Sequence, residues 1–235
     1  MSYLLQIDDL GHQFGEIVAL EAVDLSLATQ SCLAIVGPNG AGKSTLFNCI
    51  SGLYRPLRGT LSFRGQSLLG KSIEQIARLG IARTFQQPKL FASLSVLQHL
   101  QLAQAPYGPL RGTLPLLRQI LADCGLSALQ GQKPPSLSFG QQKSLSIARC
   151  LASHAQLILL DEPAAGLSEA EKTAFIHLIQ DLRTKYQFSI LLVEHQLTIV
   201  EALADEVLLL DQGKSLIQAN WEAVKRSTEW QKYKG

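Results

Sequence analysis

The sequence predicts an α/β fold: a largely parallel sheet, a small antiparallel β region at the N-terminal end, and a helical segment inserted between the two halves of the core. Three observations predict it. The longest apolar runs, at 157–160, 190–193 and 207–210, are short and each is closed by a charged residue, the mark of strands buried on both faces. After residue 153 such runs alternate with helical patterns, as βαβ units require. Between about 86 and 152 the runs disappear and helical periodicity replaces them.

Taken in order, residues 4–7 and 22–27 read as short antiparallel strands around a turn between Gly11 and Gly15. Ser31-Cys32-Leu33-Ala34-Ile35-Val36 is a buried strand running into Gly37, and a helix is expected to start near Gly42 after a glycine-rich turn. Residues 59–65 (GTLSFRG) form another short strand between turns. The helical middle is broken at Pro106-Tyr107-Gly108-Pro109 and at Pro134-Pro135. Then follow strand 157–160, helix 169–184, strand 190–193, helix 197–204 and strand 207–210. The whole reads as one domain over 1–235: residues 1–85 and 153–235 make the α/β core with the β region, and 86–152 make the helical part.

Composition excludes several function classes. With 46% hydrophobic and 17% charged residues the chain is not disordered. A formal net charge of +2 leaves no electrostatic footprint for nucleic acid, so none is expected as a partner. Mean hydropathy is slightly positive, +0.13, but no apolar run approaches the roughly 18 residues of a spanning helix. The first residues meet Asp8 and Asp9 before any basic region or long apolar stretch, unlike a secretory signal. Cys32, Cys49, Cys124 and Cys150 contain no C-x-x-C pair and read as small buried thiols. Together these point to the cytosol.

Two motifs carry chemistry. Gly37-Pro38-Asn39-Gly40-Ala41-Gly42-Lys43-Ser44, followed by Thr45, fits G-x-x-x-x-G-K-[ST] at every fixed position, between a strand and a helix. Glycines let backbone N–H groups turn inward around phosphate oxygens, and the helix that follows adds the positive end of its dipole. Lys43 then reaches the β- and γ-phosphates of a nucleotide, and the Ser44 hydroxyl ligates Mg²⁺. In Leu157-Ile158-Leu159-Leu160-Asp161-Glu162 an apolar strand delivers two carboxylates to its C-terminal end, the edge at which open α/β folds bind ligands. Asp161 suits the Mg²⁺ shell, and Glu162 suits polarising an attacking water. A third segment, Leu137-Ser138-Phe139-Gly140-Gln141-Gln142-Lys143, opens a helix with a small polar residue. By local reasoning it is either an anion site or an ordinary capped helix.

The order of these segments, with Gln86 between the glycine loop and the Ser138 segment and His195 after the Asp161-Glu162 pair, resembles the ATP-binding subunits of ABC transporters over nearly the whole chain. The resemblance implies a RecA-like P-loop NTPase core, a small antiparallel β subdomain and an inserted helical subdomain. It also implies ATP and Mg²⁺ as cofactors, and a head-to-tail dimer, homo- or heteromeric, in which Ser138, Gly140 and Gln141 serve the partner's ATP. Gln86 corresponds to the loop glutamine that meets Mg²⁺ and the attacking water, and His195 to the histidine that contacts the γ-phosphate. Phe14 falls where an aromatic ring stacks on adenine; a core Phe is the alternative. Arg83-Thr84-Phe85-Gln86, Leu90-Phe91, Leu94-Ser95-Val96 and Pro163-Ala164-Ala165-Gly166-Leu167 are similar to the branched-chain amino-acid and urea uptake branch. There the stretch 90–96 lines the groove for a membrane subunit, unless it is simply helix core.

The resemblance implies an ATP-hydrolysing importer motor beneath permease subunits on the cytoplasmic membrane face, served indirectly by a substrate-binding protein. The alternatives are a soluble non-transport ATPase, or a regulatory nucleotide-binding module with little turnover. Ser168 stands where the family usually has Asp or Asn, a position that in the family couples the two ATP sites, so the departure puts that coupling in question; Gln30-Ser31 replaces a usual Gly-Glu, and Phe139 replaces a glycine. Trp221, Trp230 and the basic Lys225, Arg226, Lys232 and Lys234 fit a solvated helix face with packed tryptophans.

Overall fold

The computed structural model describes residues 3–104 and 113–234. The expected break at Pro106-Tyr107-Gly108-Pro109 lies outside the described residues. In chain order the elements are β1 Tyr3–Phe14, β2 Ile17–Ala28, β3 Cys32–Val36, α1 Lys43–Ile50, β4 Arg58–Phe63, β5 Gln66–Ser67, α2 Ile73–Leu79 and β6 Ile81–Arg83. The helices α3 Val96–Gln104, α4 Leu114–Asp123 and α5 Phe139–Ala152 follow, with a 3-10 turn at Pro134–Ser136. Then come β7 Leu157–Asp161, α6 Glu169–Tyr186, β8 Ser189–Val193, α7 Leu197–Leu203, β9 Glu206–Asp211, β10 Lys214–Ala219, α8 Trp221–Arg226 and α9 Thr228–Lys234. The chain divides into two compact units, Met1–Ile76 with Ser189–Gly235, and Ala77–Phe188.

In the first unit β3 is buried along its whole length and pairs in parallel with β8 (Cys32↔Ile190) and with β9 (Leu33↔Glu206). Every residue of β8 is buried too, which is why these strands read as unbroken apolar runs. β10 returns antiparallel on β9 and meets β2 through one parallel pair, Lys214↔Ala22. Beyond it, β2, β1, β4 and β5 form an antiparallel sheet. Strands β1 and β2 run longer than expected, twelve residues each. A bulge at Asp9 (φ 47°) and register shifts on both sides of Leu10 interrupt their alternation, and a bulge hides the period of two. The α8–α9 pair carries the two tryptophans, packed edge to face at 4.9 Å; both are buried. The Trp221 indole N–H donates to Glu201 of α7 at 2.6 Å.

In the second unit β6 and β7 pair in parallel (Ile81↔Leu157). Helices α3, α4 and α5 lie within 86–152, and the Pro134-Pro135 break falls on the 3-10 turn. The stretch before α3 is not helical: it is an irregular loop, and the helix begins only at Val96. This loop is held by His99, whose Nε2 accepts from the Phe91 N–H at 3.0 Å while Nδ1 faces the Ser95 carbonyl at 2.8 Å. Only a neutral ring protonated on Nδ1 satisfies both partners. Burial holds the His99 pKa below its ordinary value, aided by the nearby Arg149 charge and opposed by the Ser95 hydrogen bond.

Candidate nucleotide site

In the first unit β3 delivers the chain into the glycine loop. A Cβ on Gly37 would sit 2.0 Å from the Leu210 carbonyl oxygen at the end of β9, so a side chain has no room there. Gly40 (φ +83°) faces open space, whereas Gly42 (φ +105°) is pressed against the Ala19 carbonyl, where a Cβ would come to 2.6 Å. Both conformations belong to glycine. Pro38 is half-buried, Asn39 and Gly40 are exposed, and Ala41 is buried. The Ala41 carbonyl accepts from Gly213 N–H at 3.0 Å, and the Gly213 carbonyl in turn accepts from Glu21 N–H at 2.8 Å, so the β9–β10 turn braces the loop.

Gly42 is the N-cap of α1 and has no side chain to cap the first turn, which leaves those amides directed outward for an anion. Lys43, 7% exposed, donates its ammonium to the Gly37 and Pro38 carbonyls at 2.8 Å each. It is therefore pre-positioned over the loop, and phosphate oxygens can replace those carbonyls. Ser44 is exposed and Thr45 half-buried beside it. The loop fits a polyphosphate.

Phe14 is 45% exposed at the end of β1, so it is not a core residue. Its ring meets His12 edge to face at 4.7 Å and Tyr54 at 5.2 Å, while His12 and Tyr54 stack at 5.4 Å. His195, past the end of β8, is exposed. The buried carboxylate of Glu194 accepts from the backbone N–H groups of His195 and Gln196 at 2.8 and 3.2 Å and shapes that turn.

In the second unit the end of β7 presents Asp161 and then Glu162, which holds a left-handed backbone (φ 44°). Such strain costs on the order of 1 kcal/mol and clusters at functional sites. The Gln86 amide donates to the Glu162 carboxylate at 2.7 Å, so two residues 76 apart in sequence meet. The Asp161 carboxylate is held by Arg83 at 2.9 Å in a largely buried pair.

Ser138 is the N-cap of α5 in a reciprocal capping box. Its hydroxyl accepts from Gln141 N–H, and the Gln141 side chain accepts from Ser138 N–H at 2.9 Å. The helix start is thus capped by its own residues, and both side chains must leave the box to bind a ligand. Gly140 faces the Glu171 carboxylate, 3.3 Å from where a Cβ would stand. Ser168 makes a second capping box with Glu171 at the start of α6, which gives the departure at this position a structural role. Those hydrogen bonds from Ser168 hold the Glu171 carboxyl below its usual pKa.

Sequence reasoning assigned no role to Arg83, Glu194, the His12–Tyr54 stack or Lys143. Lys143 is 4% exposed, and its ammonium reaches the Gln86 and Glu162 carbonyls at 3.2 and 3.4 Å. A lysine at the second turn of a helix reads from sequence as a solvated charge.

The family model described as "ABC transporter" matches residues 20–165, which cover the glycine loop, Gln86, the Ser138 segment and the Asp161-Glu162 pair. The chain belongs to the ABC transporter ATP-binding family. Similar proteins include the high-affinity branched-chain amino acid transport ATP-binding protein LivG of Escherichia coli K12, 35% identical over 96% of this chain and 95% of its own length. BraF of Pseudomonas aeruginosa, named for the same transport, is 32% identical over 94% and 93%. Among solved structures, the ADP conformation of MJ1267, an ATP-binding cassette of an ABC transporter, superposes with a TM-score of 0.85 at 28% identity, covering 95% of this chain and 93% of that one. The P-loop NTPase core is thus shared. As an ABC-family ATPase the chain binds nucleotide and works with permease components. Among the described residues, no helix is long and apolar enough to cross a membrane.

Proposed function

We propose that this chain is the ATP-hydrolysing motor of an importer for branched-chain or other neutral amino acids, or a related small polar solute such as urea. It works as a head-to-tail dimer with a second ATPase subunit, attached to the cytoplasmic membrane face through permease subunits that a substrate-binding protein serves. The observation that carries the hydrolytic reading is the Gln86–Glu162 hydrogen bond at 2.7 Å, on a glutamate held in a left-handed conformation. Names of relatives from Escherichia coli and Pseudomonas aeruginosa support the amino-acid cargo.

Catalysis in such a site is positioning and charge stabilisation. Lys43 and the amides of the loop and α1 hold the β- and γ-phosphates, and Phe14 offers its exposed ring to adenine. Ser44, Gln86 and Asp161 supply hydroxyl, amide and carboxylate oxygens, a hard donor set that suits Mg²⁺. Bound there, Mg²⁺ would supply neutralisation of the charge that develops on the phosphates. The Glu162 carboxylate accepts a hydrogen bond from the attacking water, Gln86 orients that water, and His195 donates to the γ-phosphate. Across the dimer, Ser138, Gly140 and Gln141 receive the partner's γ-phosphate once the capping box opens.

Glu162→Gln tests the reading. It keeps the size and the contact with Gln86 while removing the base, so ATP binding persists, hydrolysis falls by about 10²–10⁴-fold, and an ATP-bound dimer accumulates on gel filtration. Hydrolysis at the wild-type rate by that variant refutes the role of Glu162.

A further inference from the structure

Lys143 stands on the second turn of α5 with its side chain almost wholly buried. A buried ammonium is costly unless its donors are met. Here they meet the Gln86 carbonyl at 3.2 Å, the Glu162 carbonyl at 3.4 Å, and the face of the Phe139 ring, whose centroid lies 5.0 Å away. The two carbonyls belong to the residues whose side chains join at 2.7 Å. One cation therefore sets the backbone on both sides of that pair.

The same cation is tied to the start of α5. Phe139 lies between Ser138 and Gly140, and its ring is seated so closely on Gly166 that a Cβ there would fall 2.9 Å from it. Ser138 is five residues before Lys143 in a helix that rises about 1.5 Å per residue, so the two are separated by roughly 7.5 Å of rigid rod. The capping box of Ser138 and Gln141 has two natural arrangements: closed on itself, as here, or opened onto a phosphate. A discrete two-state element next to a rigid connector is what coupling between sites requires. Both carbonyl contacts are longer than the usual N–H···O distance of about 2.9 Å, so a small shift of α5 toward the loops shortens them.

We propose that Lys143 is a positioning residue that couples the Ser138–Gln141 segment to the Gln86–Glu162 pair of the same subunit. The partner's ATP, on reaching Ser138, draws the Glu162 carboxylate into its working position. This rests on the head-to-tail dimer proposed above. It also supplies a route between the two ATP sites that does not pass through residue 168, where Ser168 is engaged in capping α6.

The test compares wild type, K143M and K143R in steady-state hydrolysis against ATP concentration, with binding of a fluorescent ATP analogue measured in parallel. Wild type is expected to be cooperative, with a Hill coefficient of about 1.5–2 for two sites. K143M keeps the stem and loses the charge: kcat falls at least about tenfold, analogue affinity stays within about twofold, and the Hill coefficient drops to about 1. K143R, which keeps a cation, recovers most of both quantities. A purely structural role would lower kcat and affinity together through misfolding, and arginine would not restore cooperativity.

Should K143M fail to fold, F139L at an exposed ring answers the same question, with a reduced Hill coefficient and a lowered kcat expected while analogue affinity stays within about twofold of wild type. Wild-type cooperativity in K143M, or in F139L if that variant must stand in, overturns the coupling, as does a wild-type Hill coefficient of 1. The two readings fail separately. Absence of any ATP-dependent dimer in E162Q removes the motor reading, whereas a dimer that forms while K143M stays cooperative removes the coupling alone.

Discussion

Gly42 is the position at which the loop geometry makes its sharpest demand. At φ +105° an alanine adopts a strained conformation, worth about 1–2 kcal/mol. Its Cβ would also stand 2.6 Å from the Ala19 carbonyl oxygen and 2.8 Å from a Leu20 methyl. Leucine can rotate away, but the carbonyl is part of β2, so the loop itself must move by a few tenths of an ångström. Gly42→Ala is therefore expected to cost about 2–4 kcal/mol in all. For a chain of this size that lowers Tm by roughly 6–12 °C.

Because the displaced atoms include the N–H groups aimed at the phosphates, affinity for a fluorescent ATP analogue should fall at least about tenfold. Gly65→Ala is the matched control. Its φ is +73° with nothing within 4 Å of the added Cβ, so it carries the strain without the collision, and it lies in the β4–β5 turn. It should lose about 1 kcal/mol and bind ATP as wild type does. Equal Tm shifts and equal ATP affinities in the two variants would refute the argument that close approach to Ala19 shapes this loop.

Two further outcomes concern groups outside the loop. The His99 pKa is held down by burial, so the unfolded chain binds that proton first, and the contribution is intact above the unfolded value of about 6.5 and lost as pH falls below it. The difference in unfolding free energy between wild type and His99→Gln should shrink by up to about 1.4 kcal/mol per pH unit below that point; a difference independent of pH between 7.5 and 5.5 would sink the assignment of a neutral His99. All four cysteines are buried, and burial pushes Cys49, Cys124 and Cys150 up to about 12. Thiol titration of the native chain at pH 8 should show no fast reaction and four equivalents after denaturation; one rapid equivalent would contradict the packing around that residue.

The strands β3, β7, β8 and β9 were legible because burial on both faces leaves only one kind of residue possible along them. β6 was not, since the three residues Ile81–Arg83 are too few to show any period. β10 has no buried residue along its length and reads as loop. The stretch before Val96 is apolar without being helical, because its backbone groups are met by His99, a tertiary contact that no local pattern announces. At the site, the glycine loop and the Asp161-Glu162 pair stand out in the sequence by residue type and spacing, whereas Gln86 enters only through the family resemblance, and its hydrogen bond to Glu162 is seen only in the fold. Phe14 needed the structure: its exposure removes the core alternative. Ser168 looked like a loss in the sequence, and its second capacity as a helix cap shows only once Glu171 is seen to answer it. Lys143 was illegible for a physical reason, since a charge is normally an argument for solvent.

The tryptophan pair of α8 and α9 has a practical consequence for anyone following this protein by light. Trp221 and Trp230 are the only two indoles in the chain, and they touch each other. Tryptophan emission therefore samples the α8–α9 pair and nothing else. A denaturation curve recorded at those wavelengths reports when the C-terminal helices let go, and agreement with circular dichroism is needed before it can stand for the whole fold. Conversely, an ATP titration that changes the emission would mean that nucleotide is felt as far as α8, a signal that a dye on the phosphates would never reveal.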